Sequence, residues 1–165
     1  IEIPMPREPP SIKTQYLTLK ERRKLLNYAL KEVGLPSYLG RDYVNATIKT
    51  ESRWNAYAVS EAGAKGLMQI MPETWSAYDS TNYEENVFNP EKNILVSLKH
   101  LKKIDEYLQE NCSGYSSLPN REKQDKISAI YNGGIKKFLD KKGNISQMSP
   151  ETKNHVKKIR RILGN

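Results

Sequence analysis

The chain has 165 residues, of which 37% are hydrophobic and 28% are charged, as expected of one globular domain with a sizeable core. No apolar run approaches the roughly 20 residues that span a bilayer, and the single cysteine, Cys112, excludes an internal disulfide and a cysteine-based metal site. The net charge of +8 favours an anionic partner: a nucleic acid, an anionic lipid or an acidic wall polymer.

Residues 1–16 are rich in proline, which predicts an extended arm or the remnant of a linker. We expect the folded domain to occupy residues 17–165. Because the chain begins at Ile1 with no signal peptide, we expect a mature or trimmed form. The arm then either lies along the domain or joins it to an anchor upstream.

Helical patterns follow one another along the domain. A capping box at Thr18 and Glu21 predicts a helix that stops at Gly34 and Pro36. A second helix is predicted from about residues 38–42 to Glu51. Further helices are predicted from Pro72, from Pro90, over 121–131, over 135–141 and from Pro150 to Leu163. Residues 79–89 and 111–120 are predicted to be loops. No stretch alternates as a strand does, so the fold is predicted to be predominantly α, with at most a small β element near residues 56–70.

One carboxylate stands out on the second helix. Val44, Thr47, Ile48 and Glu51 fall at i, i+3, i+4 and i+7, so Glu51 continues an apolar stripe. Burying a carboxylate costs several kcal/mol unless it is paired or takes up a proton. A buried Glu therefore has a raised pKa, which suits a general acid. The alternative is that Glu51, in the last turn of its helix, bends out to water.

Other candidate sites have weaker signals. The glycine loop over residues 62–66 lacks the Gly-Lys-Ser/Thr ending of a phosphate loop. His100 and His155 lie far apart and lack the spacing of metal ligands. We therefore predict neither a metal nor a cofactor. Nucleic-acid binding would depend on the positive charge alone, because no nucleic-acid-binding motif is present.

Several separated blocks together carry a resemblance. They are Glu51-Ser52, the string Gly66 to Pro72, the Asn89-Pro90 and Asn93-Ile94 segment, the string Ala129 to Gly134, and Glu151-Thr152. In this order they resemble the soluble lytic transglycosylase (SLT) family of lysozyme-like murein-degrading enzymes, over about residues 42–162. The resemblance implies a lysozyme-like (goose-type/SLT) helical domain.

The activity that the resemblance implies is cleavage of the β-1,4 bond between N-acetylmuramic acid and N-acetylglucosamine in peptidoglycan. Family members do this without water, since the muramyl C6 hydroxyl attacks its own anomeric carbon and forms a 1,6-anhydro end. One Glu then suffices as acid and subsequently as base. We expect peptidoglycan strands as the partner, a monomer, and a periplasmic or other cell-envelope location. The sequence leaves open whether cleavage is internal or from chain ends, and in which biological setting.

The resemblance also assigns residues. Glu51 looks like the catalytic acid/base, and Tyr131 resembles the tyrosine that holds its carboxylate. The substrate-binding positions that it implies are Ser60, near the N-acetyl group, Gln69 and Met71 in the groove, Tyr131, Asn132 beside it, and Glu151 on the saccharide. For Met71 core packing is an alternative, and for Glu151 a plain helix N-terminal acid.

Two departures and two alternatives remain. His155 stands where the family block has an aromatic before Val, and Ile130 replaces an Ala. A goose-type hydrolase would need a second carboxylate to place water, and we expect the nearby Glu61 and Glu73 to be exposed instead. A non-catalytic wall-binding domain is the alternative from a different functional class.

Overall fold

The computed structural model describes residues 16–164, so residues 1–15 of the predicted arm lie outside the described residues. Within this range the chain forms eight α-helices, and the longest connection between them is the loop over residues 53–71. They are α1 (Leu19–Val33), α2 (Arg41–Ser52), α3 (Pro72–Tyr78), α4 (Tyr83–Asn86), α5 (Pro90–Asn111), α6 (Asn120–Gly133), α7 (Ile135–Asp140) and α8 (Pro150–Leu163). Single 3₁₀ turns occupy Ser37–Leu39, Tyr115–Ser117 and Ile145–Gln147.

The ends of α1 and α8 follow their local sequence signals. The predicted capping box is confirmed, since Thr18 and Glu21 exchange side-chain and backbone hydrogen bonds at the start of α1. The helix ends at Gly34, which takes the left-handed conformation that glycine adopts at low cost. At α8 the Ser149 hydroxyl accepts a hydrogen bond from the backbone N–H of Thr152. These signals are short-range, so they mark the ends of both helices in the sequence itself.

One predicted loop differs from the structure, and one predicted helix start agrees with it. Residues 79–89, predicted to be a loop, contain the short helix α4, which is capped by the Asn82 side chain. No side chain of α4 is buried, so it has no apolar stripe for a sequence pattern to detect. The second helix begins at Arg41, within the predicted range of residues 38–42, and follows a separate 3₁₀ turn over Ser37–Leu39.

The core lies around α5, the longest helix. Helices α1, α3 and α6 pack against it, and its buried side chains include Ile94, Leu98, Leu101 and Leu108. Strand structure in residues 16–164 is limited to isolated bridges, of which Val59–Lys65 and Lys65–Ile70 form the small β element predicted near residues 56–70. None of the helices in residues 16–164 combines the length and the low polarity that a membrane span requires.

Helix α8 packs against both α2 and α6. Its first turn approaches α6 at Gly133, where a Cβ would lie 2.9 Å from Oγ1 of Thr152 and 2.8 Å from Cε of Met148. A larger residue would therefore push α8 away. The Thr152 hydroxyl also donates to Oδ1 of Asn132 at 2.8 Å. Glycine and this hydrogen bond set α8 close to α6 and bring its middle turn against the end of α2.

Candidate active site

Glu51 lies in the last turn of α2, which ends because Arg53 takes a left-handed conformation with φ of 53°. The predicted stripe below it is buried: Val44, Thr47 and Ile48 are at most 1% exposed. The Glu51 side chain is itself only 12% exposed. The apolar face therefore continues through the carboxyl group, and Glu51 does not bend out to water.

Burial raises the pKa of Glu51 from its usual value of 4.5 to about 8, and the negative charge of Glu151 contributes in the same direction. The low-polarity surroundings disfavour the carboxylate, so the group keeps its proton at neutral pH. A carboxyl group that is protonated near neutrality is able to act as a general acid.

His155, on the middle turn of α8, faces Glu51. Its Nδ1 lies 3.4 Å from Oε1 of Glu51, and the side chain is 6% exposed. Burial lowers the pKa of His155 to about 4, helped by the positive charge of Lys158. The distance would suit an ion pair, but burial holds both groups neutral. Within residues 16–164, Nε2 of His155 has no hydrogen-bond partner.

Sequence reasoning noted His155 only as a departure from the family block. A signal for its position was present, since it follows Thr152 by three residues, and Thr152, Val156 and Ile159 form the buried stripe of α8. His155 thus lies on the buried side of its helix, as Glu51 does. The criterion that selects Glu51 on α2 also selects His155 on α8.

Tyr131, in α6, directs its hydroxyl to a different partner from the one that the resemblance implies. The O–H donates to the backbone carbonyl of Met68 at 2.7 Å. Burial raises the pKa of Tyr131, and the nearby charge of Glu51 raises it further. Tyr131 therefore lies beside Glu51 and attaches the loop before α3 to α6.

Asn93, a fully buried residue of α5, holds that loop through hydrogen bonds of its side chain. Its Oδ1 accepts the backbone N–H of Met68 at 2.9 Å, and its Nδ2 donates to the carbonyls of Lys65 and Val87 at 3.2 and 2.8 Å. Gly66 makes this approach possible, because a Cβ there would lie 2.2 Å from Nδ2 of Asn93. The matching Gly66 and Asn93 blocks of the sequence are thus one packing unit.

Gln69 and Ser60 both help to close the same loop. Gln69 has φ of 53°, and its amide Nε2 donates to the carbonyls of Ala58 and Gly66 at 3.1 and 3.0 Å. The amide nitrogen of Gln69 is therefore engaged within the loop. The Ser60 hydroxyl accepts the N–H of Ala64 at 3.0 Å and can still donate its own proton.

The remaining predicted residues lie around this loop and the start of α8. Met71 is half-buried and directly precedes Pro72, the first residue of α3. Asn132 uses its carbonyl oxygen on Thr152, as described above. Glu151 is exposed in the first turn of α8, where an acid also stabilises the helix. The charge of Glu151 acts on Glu51, so the two acids belong to one region.

His100, on α5, is a second residue that sequence reasoning did not assign. Its Nδ1 lies 2.9 Å from the Tyr78 hydroxyl, and its ring packs 5.6 Å from that of Tyr131, centroid to centroid. The ring of His100 therefore packs against the ring of Tyr131. Glu61 and Glu73 are exposed, as predicted. No group of three or more acidic, histidine or cysteine side chains in residues 16–164 is arranged to hold a metal ion.

Comparison with known families gives one match. The model described as "Transglycosylase SLT domain" matches residues 33–155. The chain is 31% identical over 101 residues to a protein of Haemophilus influenzae named "Putative soluble lytic murein transglycosylase", covering 58% of this chain and 15% of that protein. It is 35% identical over 124 residues to "Membrane-bound lytic murein transglycosylase C" of Edwardsiella ictaluri, covering 64% and 32%. The aligned region thus spans less than a third of each of these relatives.

Solved structures share the fold. The lytic transglycosylase Slt of Pseudomonas aeruginosa, in an inactive mutant, superposes with a TM-score of 0.62 at 21% identity, covering 85% of this chain and 23% of that one. The 70 kDa soluble lytic transglycosylase of Escherichia coli gives 0.61 at 24% identity, covering 87% and 24%. Both likenesses confirm the predicted lysozyme-like helical fold class.

Proposed function

Because the chain belongs to the Transglycosylase SLT domain family, we propose that it is a peptidoglycan lytic transglycosylase. It cleaves the β-1,4 bond between N-acetylmuramic acid and N-acetylglucosamine and leaves a 1,6-anhydromuramyl end. The observation that carries the proposal is the burial of the Glu51 side chain, which raises its pKa to about 8 and so favours the protonated acid at neutral pH.

A single carboxyl group can perform both halves of this reaction. Glu51 donates its proton to the glycosidic oxygen as the bond to the anomeric carbon breaks. The resulting carboxylate then takes the proton of the muramyl C6 hydroxyl as that oxygen attacks the same carbon. The cycle ends with Glu51 protonated again and with no water consumed.

A hydrolase would need a second carboxylate, either to activate water or to act as nucleophile. Glu151, whose charge reaches Glu51, is exposed at a helix start. The fully buried Asp105 accepts hydrogen bonds from the hydroxyls of Tyr38 and Tyr115, both at 2.6 Å. The non-hydrolytic reaction needs neither acid, because the muramyl C6 hydroxyl takes the place of the attacking water.

The substrate side of the proposal follows the loop before α3 and the ends of α6 and α8. We assign saccharide contacts to Ser60, Gln69, Met71, Tyr131, Asn132 and Glu151. The partner is then a peptidoglycan strand, and the location is the cell envelope, as the murein enzymes named above suggest. The positive net charge suits such an acidic polymer.

The substitution Glu51→Gln tests the acid. It should lower the rate at which purified cell walls clear by at least about a hundredfold, the usual contribution of a general acid–base group. Binding to pelleted walls should persist, because the groove is unchanged. Glu73→Gln, an exposed acid of the same region, is the control and should clear walls at the rate of the unmodified protein. Unchanged clearing by Glu51→Gln would show that Glu51 is not the acid.

Product mass tests the reaction type. The expected muropeptides end in 1,6-anhydromuramic acid and are one water lighter than hydrolysis products. Mass spectrometry of soluble fragments from a complete digest measures this directly. A reducing muramyl end as the main product would replace the proposal with a goose-type hydrolase.

A further inference from the structure

Two buried polar side chains meet where α8 crosses the end of α2. Nδ1 of His155 and Oε1 of Glu51 are 3.4 Å apart, and neither side chain is more than 12% exposed. The family block that the sequence resembles has an aromatic residue at this position, so the ring nitrogens of His155 are a departure from that block.

The position of the imidazole proton follows from the surroundings of the ring. A neutral imidazole has one N–H and one bare nitrogen. Nε2 is buried and meets no partner among residues 16–164, whereas Nδ1 faces a carboxyl oxygen. Buried N–H groups without an acceptor are rarer than buried acceptors without a donor. The proton therefore belongs on Nδ1, the ring nitrogen that lies 3.4 Å from Oε1 of Glu51.

Tyr131 cannot supply the same hydrogen bond. It has one O–H, and that proton is donated to the carbonyl of Met68 at 2.7 Å. A hydroxyl that already donates has no second proton to give. Of the two side chains, His155 is therefore the one whose proton can be donated to the Glu51 carboxyl group.

We propose that His155 is the positioning residue of Glu51, with Nδ1–H held on Oε1 so that the transferable proton of the acid stays on Oε2. The inference rests on the proposed role of Glu51 as acid and base. During the reaction His155 keeps its proton. Glu51 gives the Oε2 proton to the glycosidic oxygen and later receives the C6 hydroxyl proton, while the Nδ1–H group donates to the intervening carboxylate.

The distance agrees with this role. A contact of 3.4 Å is long for a hydrogen bond between two neutral groups. Hydrogen bonds to a charged acceptor are shorter and roughly twice as strong. Catalytic contacts are often loose in the free enzyme and tighten as charge develops. His155 therefore favours the carboxylate most at the moment when Glu51 has given up its proton.

Charged and titratable groups face this pair from each helix packed around it. Glu51 comes from α2 and Tyr131 from α6, while Glu151 and Lys158 come from α8 itself. The Lys158 charge opposes protonation of His155, and the Glu151 charge opposes ionisation of Glu51. Both effects keep the resting pair neutral, which is the state that the proposed step requires.

Nitrogen NMR of the histidine rings tests the proton position without any substitution at the site. In protein labelled with ¹⁵N-histidine, the ring couplings distinguish an Nδ1–H from an Nε2–H tautomer. The second histidine, His100, is assigned by its loss in His100→Gln. At neutral pH we expect His155 to carry its proton on Nδ1. An Nε2–H tautomer, or a charged ring, would overturn the inference.

Two substitutions test the consequence for activity. His155→Phe keeps a ring but no donor, whereas His155→Asn places an amide N–H near the position of Nδ1. We expect His155→Phe to slow wall clearing by about tenfold or more, the scale of a hydrogen bond to a charged group. The alkaline limb of its pH–rate profile should move to higher pH, because the carboxylate has lost a donor. His155→Asn should recover most of the rate and restore the limb.

The controls separate this inference from the proposed function. Asn154→Ala, an exposed neighbour on α8, should match the unmodified protein. If Glu51→Gln is inactive but His155→Phe clears walls normally with an unmoved limb, His155 is only a packing residue and the inference fails alone. Equal losses in His155→Phe and His155→Asn, with both limbs unmoved, would overturn it too. An active Glu51→Gln protein would instead sink the proposed function.

Discussion

At the level of single residues, folding shifts the pKa values of Glu51 and His155 in opposite directions. Burial raises the pKa of Glu51 from 4.5 to about 8 and lowers that of His155 from 6.5 to about 4. Between pH 4.5 and 6.5 the folded pair holds one proton, on Glu51, and the unfolded pair also holds one, on His155. Because the counts are equal, the pair adds no slope to stability over this range.

Above pH 6.5 the balance changes. The unfolded chain now binds neither proton, while folded Glu51 keeps its proton up to about pH 8. Folding then takes up a proton, so the free energy of unfolding falls as the pH rises. The free energy of unfolding therefore decreases between pH 6.5 and 8. In this range Glu51 is ionised in the unfolded chain and still protonated in the folded protein, and each rise in pH favours the ionised form.

We therefore predict that the protein loses about 2 kcal/mol of unfolding free energy between pH 6.5 and 8.5 that Glu51→Gln does not lose. A neutral amide cannot titrate, so the substitution removes this slope. Urea denaturation at several pH values in this range measures the difference. Glu73→Gln, which changes an exposed acid, should keep the slope of the unmodified protein. Parallel curves for Glu51→Gln and the unmodified protein would contradict the raised pKa.

At the level of structural elements, the loop between α2 and α3 depends on how closely α5 approaches it. Asn93 bonds three backbone groups around Gly66, and the backbone of Gly66 takes φ of 83°. The loop carries Gln69 and Met68, so this packing unit also sets the partner of Tyr131. A substitution that displaces Gly66 should therefore also displace Gln69 and the other proposed saccharide contacts of this loop.

The pair Gly66→Ala and Gly63→Ala tests this packing. Both glycines have positive φ, at 83° and 90°, so an added Cβ strains the backbone in both. Only at Gly66 would the Cβ also meet other atoms, Nδ2 of Asn93 at 2.2 Å and the carbonyl of Val87 at 2.8 Å. We expect Gly66→Ala to destabilise the protein by about 1–3 kcal/mol more than Gly63→Ala, the usual cost of overpacking.

Chemical denaturation of both variants gives the comparison, and wall clearing should fall further in Gly66→Ala than in Gly63→Ala. Equal stability losses would mean that backbone strain alone accounts for glycine at position 66. In that case the loop could be held by Tyr131 and Gln69 without the close approach of Asn93.

At the level of the whole molecule, the parts that the sequence predicts are those with local signals. The Thr18 capping box, the Pro150 helix start and the stripe ending at Glu51 lie within one helix each, and the structure has all three. Helix α4 has no buried side chain, so no pattern marks it. The contact between His155 and Glu51 joins residues about a hundred positions apart. It depends on how α8 packs against α2 and α6, which no local pattern encodes.

The hydrogen-bond partner of the Tyr131 hydroxyl is likewise not predicted by a local pattern. The sequence block suggests a tyrosine near the carboxylate, and the charge of Glu51 does act on it. Its proton goes to Met68 instead because the loop is drawn against α5 by Asn93, on another helix. The hydrogen-bond partner of Tyr131 depends on α5, α6 and the loop before α3 together, so the motif on α6 alone does not predict it.

The net charge of +8 is also a property of the whole molecule, and it should assist binding to an acidic wall. Such long-range attraction is screened as the Debye length falls from about 30 Å at 0.01 M salt to about 3 Å at 1 M. We predict that pelleting of Glu51→Gln with purified walls weakens steadily across this range. The inactive variant is the right protein for the measurement, because the walls stay intact during binding.

A charge variant separates the field of the molecule from contacts in the groove. Lys99 and Lys103 are exposed on α5, in a depression beside α1 that is separate from the proposed saccharide site. None of the proposed saccharide contacts involves them. Changing both to Glu in the Glu51→Gln background removes two positive charges and adds two negative ones, which lowers the net charge by four units. If the field assists binding, this protein should bind walls more weakly at low salt and converge with its parent at high salt, where both fields are screened. Salt-independent pelleting of both proteins would instead assign wall affinity to the groove alone.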